Sequence, residues 1–293
     1  MTAAVGAGAL RWAVPLLASC WIGALPTAAL GADVAMVTDV QGSVTESAGG
    51  RPVSVTILAP LTAGAQVELA PGATLVALYL DAGDEYAFRG PATVVFRSGQ
   101  PEVLSGAKPE KRSALGKSGK DIRIKPVGMA QAAIVMRGAR GSARLRLLNL
   151  QQTHTLEARP EFRWQELQPG LTYEFKLSDD TGRALLETQV RATSLLLPVE
   201  VQLNEGVPYT WEVSALLPDG RKYSSSADFA VAPADVRARA ETLRPAPSAP
   251  LSSRVAYAAW LDQMELGDEA HKYWQAASAE RPEDPRLKAL AAR

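Results

Sequence analysis

Cysteine is nearly absent: Cys20 is the single one among 293 residues. That excludes an intramolecular disulfide and a cysteine-based zinc site. Histidine is almost as scarce, with only His154 and His271. The first lies in the polar run Gln151-Gln152-Thr153 and the second beside Lys272 on a predicted helix. They fall in different predicted segments and read as surface residues. No Gly-x-Ser-x-Gly elbow, phosphate-binding loop, His-Glu-x-x-His pair or dinucleotide fingerprint occurs. An excess of either charge is missing too, because 31 basic and 31 acidic side chains cancel. Broad attraction to nucleic acid needs clustered excess Lys and Arg. The expectation is a non-catalytic protein without a cofactor and without a nucleic-acid partner. Stability must come from buried apolar surface, and the length suits two or three domains.

What is present begins with a targeting pattern. Arg11 precedes an uncharged stretch from Trp12 to Ala32, interrupted by Pro15 and Pro26. Ala29-Leu30-Gly31 offers a small-x-small cleavage site. Residues 1–32 are therefore expected to be a signal peptide, and the protein to be exported to the periplasm. Leu17-Ala18-Ser19-Cys20 is similar to a bacterial lipobox, so the alternative is a membrane-tethered lipoprotein acylated at Cys20.

From Ala35 to about Ile134, short alternating runs are broken by turn signals. Val53-Ser54-Val55-Thr56-Ile57 alternates as a half-buried strand should. Thr74 to Leu80 is a second strand, and Glu85-Tyr86-Ala87-Phe88 returns as its hairpin partner after Asp81-Ala82-Gly83-Asp84. Asp81, Asp84 and Glu85 are the residues from which a calcium site could be built, although aspartates are also what tight turns prefer. Tyr79, Tyr86 and Phe88 are either a stacking platform for sugar rings or core. The string Leu61-x-x-Gly64-x-x-Val67-x-Leu69-x-x-Gly72-Ala73-x-Leu75, then Tyr79 and the turn Gly90-Pro91, resembles a FecR-like periplasmic domain. Where that family continues Gly-Glu-Ala-x-Phe, this chain has Phe96-Arg97-Ser98-Gly99-Gln100. Transmembrane transcriptional signalling is accordingly not carried over.

Residues 106–125 are basic, with Lys108, Lys111, Arg112, Lys117, Lys120, Arg123 and Lys125 against Glu110 and Asp121. Their Gly and Ser content suggests a mobile loop. Lys111, Arg112, Lys117 and Lys120 are candidate contacts for a cell-wall polymer or an anionic membrane surface.

A second β unit starts near Pro160. Phe162-x-Trp164, Tyr173-x-Phe175-x-Leu177, Val207-x-Tyr209-x-Trp211-x-Val213 and Phe229-x-Val231 alternate large residues between turns. These strands look like those of immunoglobulin-like or type III fibronectin-like modules, with a core resting on Trp164 and Trp211 in place of a cysteine pair.

The end of the chain is helical. Ala234 to Leu243 is a short helix, followed by the stiff linker Arg244-Pro245-Ala246-Pro247-Ser248-Ala249-Pro250. Ser252 or Ser253 is expected to cap a helix to about Leu266, and Asp268 a second one to about Glu280. The spacing of Ala258, Leu261, Ala270, Trp274 and Ala277 is similar to one tetratricopeptide repeat. A single repeat cannot bury its face alone, so it must pack on the β domains, on residues 285–292 or on another protein. Trp260, Tyr273 and Trp274 are its candidate partner contacts.

The expected fold class is mainly β, with two β domains and a small C-terminal helical hairpin. The pieces are a signal peptide (1–32), a FecR-like β domain (33–150) and an immunoglobulin-like β-sandwich (155–233). A helix and proline-rich linker (234–252) and a tetratricopeptide-like hairpin (253–293) follow. The function expected of these modules is protein–protein adaptation in a bacterial cell envelope. A cell-wall or glycan-binding module is the alternative, and an envelope hydrolase a third.

Overall fold

The computed structural model describes residues 32–48, 51–115 and 145–293. The expected signal peptide, Cys20, Lys117 and Lys120 lie outside these residues. The described residues are mainly β, with four helices at the C-terminal end. No helix among the described residues is long and apolar enough to cross a membrane.

Ten strands make the first β unit. They are β1 (Asp33–Gln41), β2 (Val44–Ala48), β3 (Arg51–Ser54), β4 (Pro60–Thr62), β5 (Gln66–Leu69), β6 (Thr74–Tyr79), β7 (Asp84–Arg89), β8 (Ala92–Phe96), β9 (Pro101–Ser105) and β10 (Glu110–Ser113). They form two five-stranded sheets, ordered β10-β7-β6-β1-β4 and β3-β2-β5-β8-β9. The period of two places Leu75, Ala77 and Tyr79 of β6 on the same inner face as Tyr86 and Phe88 of β7. These side chains meet Val67, Val94 and Phe96 of the other sheet in one buried core. The aromatics at 79, 86 and 88 are thus core and not a sugar platform. Gly90 has a steric reason: a Cβ there would lie 2.0 Å from the Ala70 carbonyl oxygen.

The second unit holds β11 (Thr153–Thr155), β12 (Glu161–Arg163), β13 (Tyr173–Ser178), β14 (Ala184–Val190), β15 (Ser194–Leu196), β16 (Pro208–Leu216) and β17 (Lys222–Val231). One sheet is ordered β11-β17-β16-β13-β14, and β12 pairs with β15. Between them Phe162, Trp164, Phe175, Trp211 and Phe229 interlock, with ring centroids 4.9–6.5 Å apart. The Trp211 indole N–H donates to the Leu150 carbonyl at 2.9 Å. This is a β-sandwich whose core rests on two tryptophans, as the sequence suggested.

The helices are α1 (Ala234–Leu243), α2 (Leu251–Gln263), α3 (Gly267–Glu280) and α4 (Pro285–Ala291). Alternation gives β1 and β6 a second apolar face, carrying Met36 and Leu78. That face packs on α2, where Val255, Tyr257 and Leu261 are buried with Trp274 of α3 and Leu287 of α4. The hairpin thus buries its apolar face on the first β unit and on α4. The described residues form one packed unit.

Several expectations need correction. Leu145, Leu147 and Leu150, assigned to the first domain, lie in the core of the second sandwich. Leu147 bridges Trp164, and β11 adds to β17 in parallel. The strand expected over residues 53–57 ends at Ser54, and Val55 and Ile57 are buried beyond it. Within the basic stretch, residues 110–113 are not loop but strand, paired with β7. Helix α2 starts at Leu251 behind Pro250, so Ser252 and Ser253 lie inside it and do not cap, and the Ser252 hydroxyl faces the Arg112–Glu85 ion pair. Asp268 likewise does not cap α3: its carboxylate turns to the Leu150 N–H at 2.7 Å.

Candidate functional site

The candidate contacts from the sequence fall into two groups, and the structure treats them differently. Trp260 and Trp274 are only 3% and 2% exposed. Trp260 stacks on Tyr257 at 5.9 Å, and the Trp274 indole N–H donates to Asp262 at 3.0 Å. Neither tryptophan is presented to a partner. Both lie in the core that joins helices to sheet, where burying such rings contributes most. Tyr273 is half-buried and meets Tyr257 edge-on at 5.0 Å.

Lys111 and Arg112 are side by side on β10 but have opposite surroundings. Lys111 pairs with Asp84 at 2.7 Å and lies over the Tyr86 ring. Arg112 faces the helices. Its Nε donates to the Glu85 carboxylate at 2.8 Å and its Nη2 to the Ser252 hydroxyl at 2.7 Å. Glu85 is wholly buried and also accepts from the Thr38 hydroxyl at 2.9 Å. A buried carboxylate demands such satisfaction. Arg112 is therefore a pin between the first β unit and α2.

The carboxylates from which a calcium site could have been built do not converge, since Asp84 turns to Lys111 and Glu85 to Arg112. Asp179 closes its own turn, accepting from Thr181 and Arg183. Among the described residues no cluster of His, Cys, Asp or Glu is placed to hold a metal ion.

What the fold does bring together is the pair of histidines. A cleft of about 470 Å³ runs between the second sandwich and α3. Leu148, His154, Glu161 and Arg163 line it from the sandwich, and Asp268, His271, Lys272 and Gln275 from α3. The walls are clasped at the α2–α3 turn. The His154 N–H donates to the Glu265 carbonyl at 2.7 Å, and the Gly267 N–H to the Thr153 hydroxyl at 2.9 Å. Asp268 is held above the usual carboxylate range chiefly by burial, with the Leu150 N–H acting in the opposite sense. His154 Nδ1 is 3.3 Å from the Met264 carbonyl, and His271 Nε2 is 2.7 Å from Gln275 Nε2. Lys272 pairs with Glu269 at 2.6 Å, and Leu148 stands half-exposed at the lip.

Chemically, the cleft offers donors, acceptors and both charge signs on two walls held at a fixed separation. The His154 ring faces the Met264 carbonyl and lies 3.7 Å from the Glu265 carboxylate, and the His271 ring faces the Gln275 amide. Sequence reasoning missed the cleft because His154 and His271 sit on elements whose contact is purely tertiary. The apolar residues Leu145, Leu147 and Leu150 were the available signal that this segment belonged with the second sandwich.

No protein-family model matches the chain, and no curated protein matches it. Among solved structures, it is similar to CopC from Methylosinus trichosporium OB3b, with 21% identity over 31% of this chain and 96% of that one and a TM-score of 0.24. It is also similar to the fn3 domain of the human collagen alpha-1(XX) chain, with 18% identity over 39% and 96% and a TM-score of 0.23. A tetra-tandem repeat from the extending region of a large adhesion protein gives 11% identity over 69% of this chain and 42% of that one, with a TM-score of 0.24. These likenesses carry no functional argument. The β-sandwich assignment rests on the strand order and the core described above.

Proposed function

We propose that this chain is a non-catalytic, exported binding protein of a bacterial cell envelope, and that it holds a segment of a protein partner in the cleft between the second sandwich and α3. The cleft itself carries this reading: two rigid elements, clasped by hydrogen bonds, present Leu148, Arg163, His271, Lys272 and Gln275 toward one open space of about 470 Å³. Such preorganisation lowers the ordering cost that binding would otherwise incur. Export rests on the leader pattern of residues 1–32, and the FecR-like and tetratricopeptide-like assignments rest on the residue patterns that suggested them. An adaptor role agrees with the packing, since three modules held as one unit keep their surfaces at fixed spacing.

The test is site-specific photo-crosslinking in cells making the full chain. A photoreactive residue at Gln275 should give one discrete protein adduct. The same residue at the exposed Val53 should give none. Arg163→Glu combined with Lys272→Glu should abolish the Gln275 adduct. Equal labelling from both positions, or none from Gln275, would remove the basis of this reading. Intact mass of the chain recovered from the envelope checks export, with a mature N-terminus at Ala32 or Asp33 expected.

A further inference from the structure

The edges of the sheets differ in how they are protected, and one is long, free of proline and carries a single charge. Unpaired strand edges invite pairing with another chain, and proteins blunt them with prolines, charges or shortness. Here β3 has Pro52, β4 has Pro60, β9 has Pro101, and β10 reads Glu-Lys-Arg-Ser. The edge strand β11, like β12 and β15 of the small sheet, has three residues. The exception is β14, seven residues reading Ala-Leu-Leu-Glu-Thr-Gln-Val. It pairs with β13 alone, and along its other side it has no backbone partner among the described residues.

The two faces beside this edge specify what could join it. Leu186, Thr188 and Val190 lie opposite Leu177, Phe175 and Tyr173, so they lean toward the core. Glu187 and Gln189 point to the open face. There they border a trough of about 450 Å³ that is also lined by Glu174, Lys176, Glu212 and Lys222. Both lysines are already paired, Lys176 with Glu187 at 3.2 Å and Lys222 with Glu174 at 3.0 Å. Glu212 adds a further carboxylate, leaving the trough with an acidic surplus. Self-pairing is disfavoured, because full antiparallel overlap of two β14 strands would set Glu187 opposite Glu187.

We infer that β14 is a docking edge for an extended segment of a partner protein in which apolar residues alternate with lysine or arginine. The segment adds as a sixth strand. Its apolar residues continue the row of Leu186, Thr188 and Val190, and its basic residues meet the acidic trough. Main-chain hydrogen bonds supply affinity, and the alternating side chains supply selectivity. This edge belongs to the larger sheet and is separate from the cleft, so the two readings stand or fall independently.

The probes are seven-residue peptides titrated into the full chain: alternating valine and lysine, alternating valine and glutamate, and a valine–lysine peptide of the same composition with its valines in one block. Amide hydrogen exchange followed by mass spectrometry locates the site. The alternating lysine peptide should bind and slow exchange in 184–190, while the other two should not. Glu187→Lys should weaken it by about three- to ten-fold and admit the glutamate peptide, since opposed charges across strands reverse with the swap. Glu187 is exposed, so the variant should fold. Protection that appears elsewhere, binding indifferent to alternation or to Glu187→Lys, or no binding at millimolar peptide would overturn the inference. So would a concentration-dependent dimer that protects β14 without peptide.

Discussion

Replacing Arg112 with methionine should cost far more than its position on a charged edge strand suggests. The Glu85 carboxylate is wholly buried. It would keep the Thr38 hydroxyl at 2.9 Å and a distant Ser252 hydroxyl at 3.4 Å, but no cation. Removing one member of a buried ion pair costs about 3–5 kcal/mol, most of it the desolvation of the charge left behind. The Arg112 side chain is 42% exposed, so water screens the pair from one side. That discounts the loss to about 2–4 kcal/mol, a large part of the roughly 5–15 kcal/mol that holds a protein together. Urea unfolding of the full chain, followed by tryptophan fluorescence and circular dichroism, measures it. Glu85→Gln in the Arg112→Met background should recover at least half of the loss, because a neutral amide no longer needs the guanidinium. A deficit below about 0.5 kcal/mol, or no recovery in the double variant, would refute the account of Glu85 as a charge that depends on Arg112.

Three further outcomes follow from the packing. Trp274→Ala should destabilise the chain by about 3–5 kcal/mol by opening a cavity between α2, α3 and α4, readable in the same urea experiment. Leu147→Ala should cost about 2–4 kcal/mol and loosen the second sandwich rather than the first, which amide exchange in β13 and β16 against β6 and β7 would resolve. Asp268 has its folded-state pKa raised above 3.8 by burial, so its charge disfavours the folded state at neutral pH and that penalty is relieved as pH falls through the folded value. Asp268→Asn keeps an acceptor for the Leu150 N–H. It should be at least as stable as the parent at pH 7, with the advantage vanishing toward pH 4; an advantage independent of pH would contradict the burial argument.

Much of the architecture was legible in the residues themselves. Alternation at 74–79, 85–88, 173–177 and 208–213 marks strands because successive side chains point to opposite faces. It also identifies Tyr86, Phe88 and Trp211 as inward, as the pair Phe162-x-Trp164 does for Trp164. Pro245 to Pro250 separates two helices because proline lacks the N–H that a helix needs. What such patterns cannot say is which element covers a second apolar face. Met36 and Leu78 alternate with the inner residues of β1 and β6, and only packing reveals α2 over them. The same limit misled the expectation for Trp260 and Trp274, whose apolar face was already covered. Polar destinations are more remote still. Glu85 meets Ser252 across 167 residues, and Leu150 meets Asp268 across 118. Local periodicity decided what each segment is and which way its side chains point. The tertiary fold alone decided that Glu85 finds Arg112, that His154 and His271 share a cleft, and that β14 is left with an open edge, because each depends on distances between segments that no local pattern encodes.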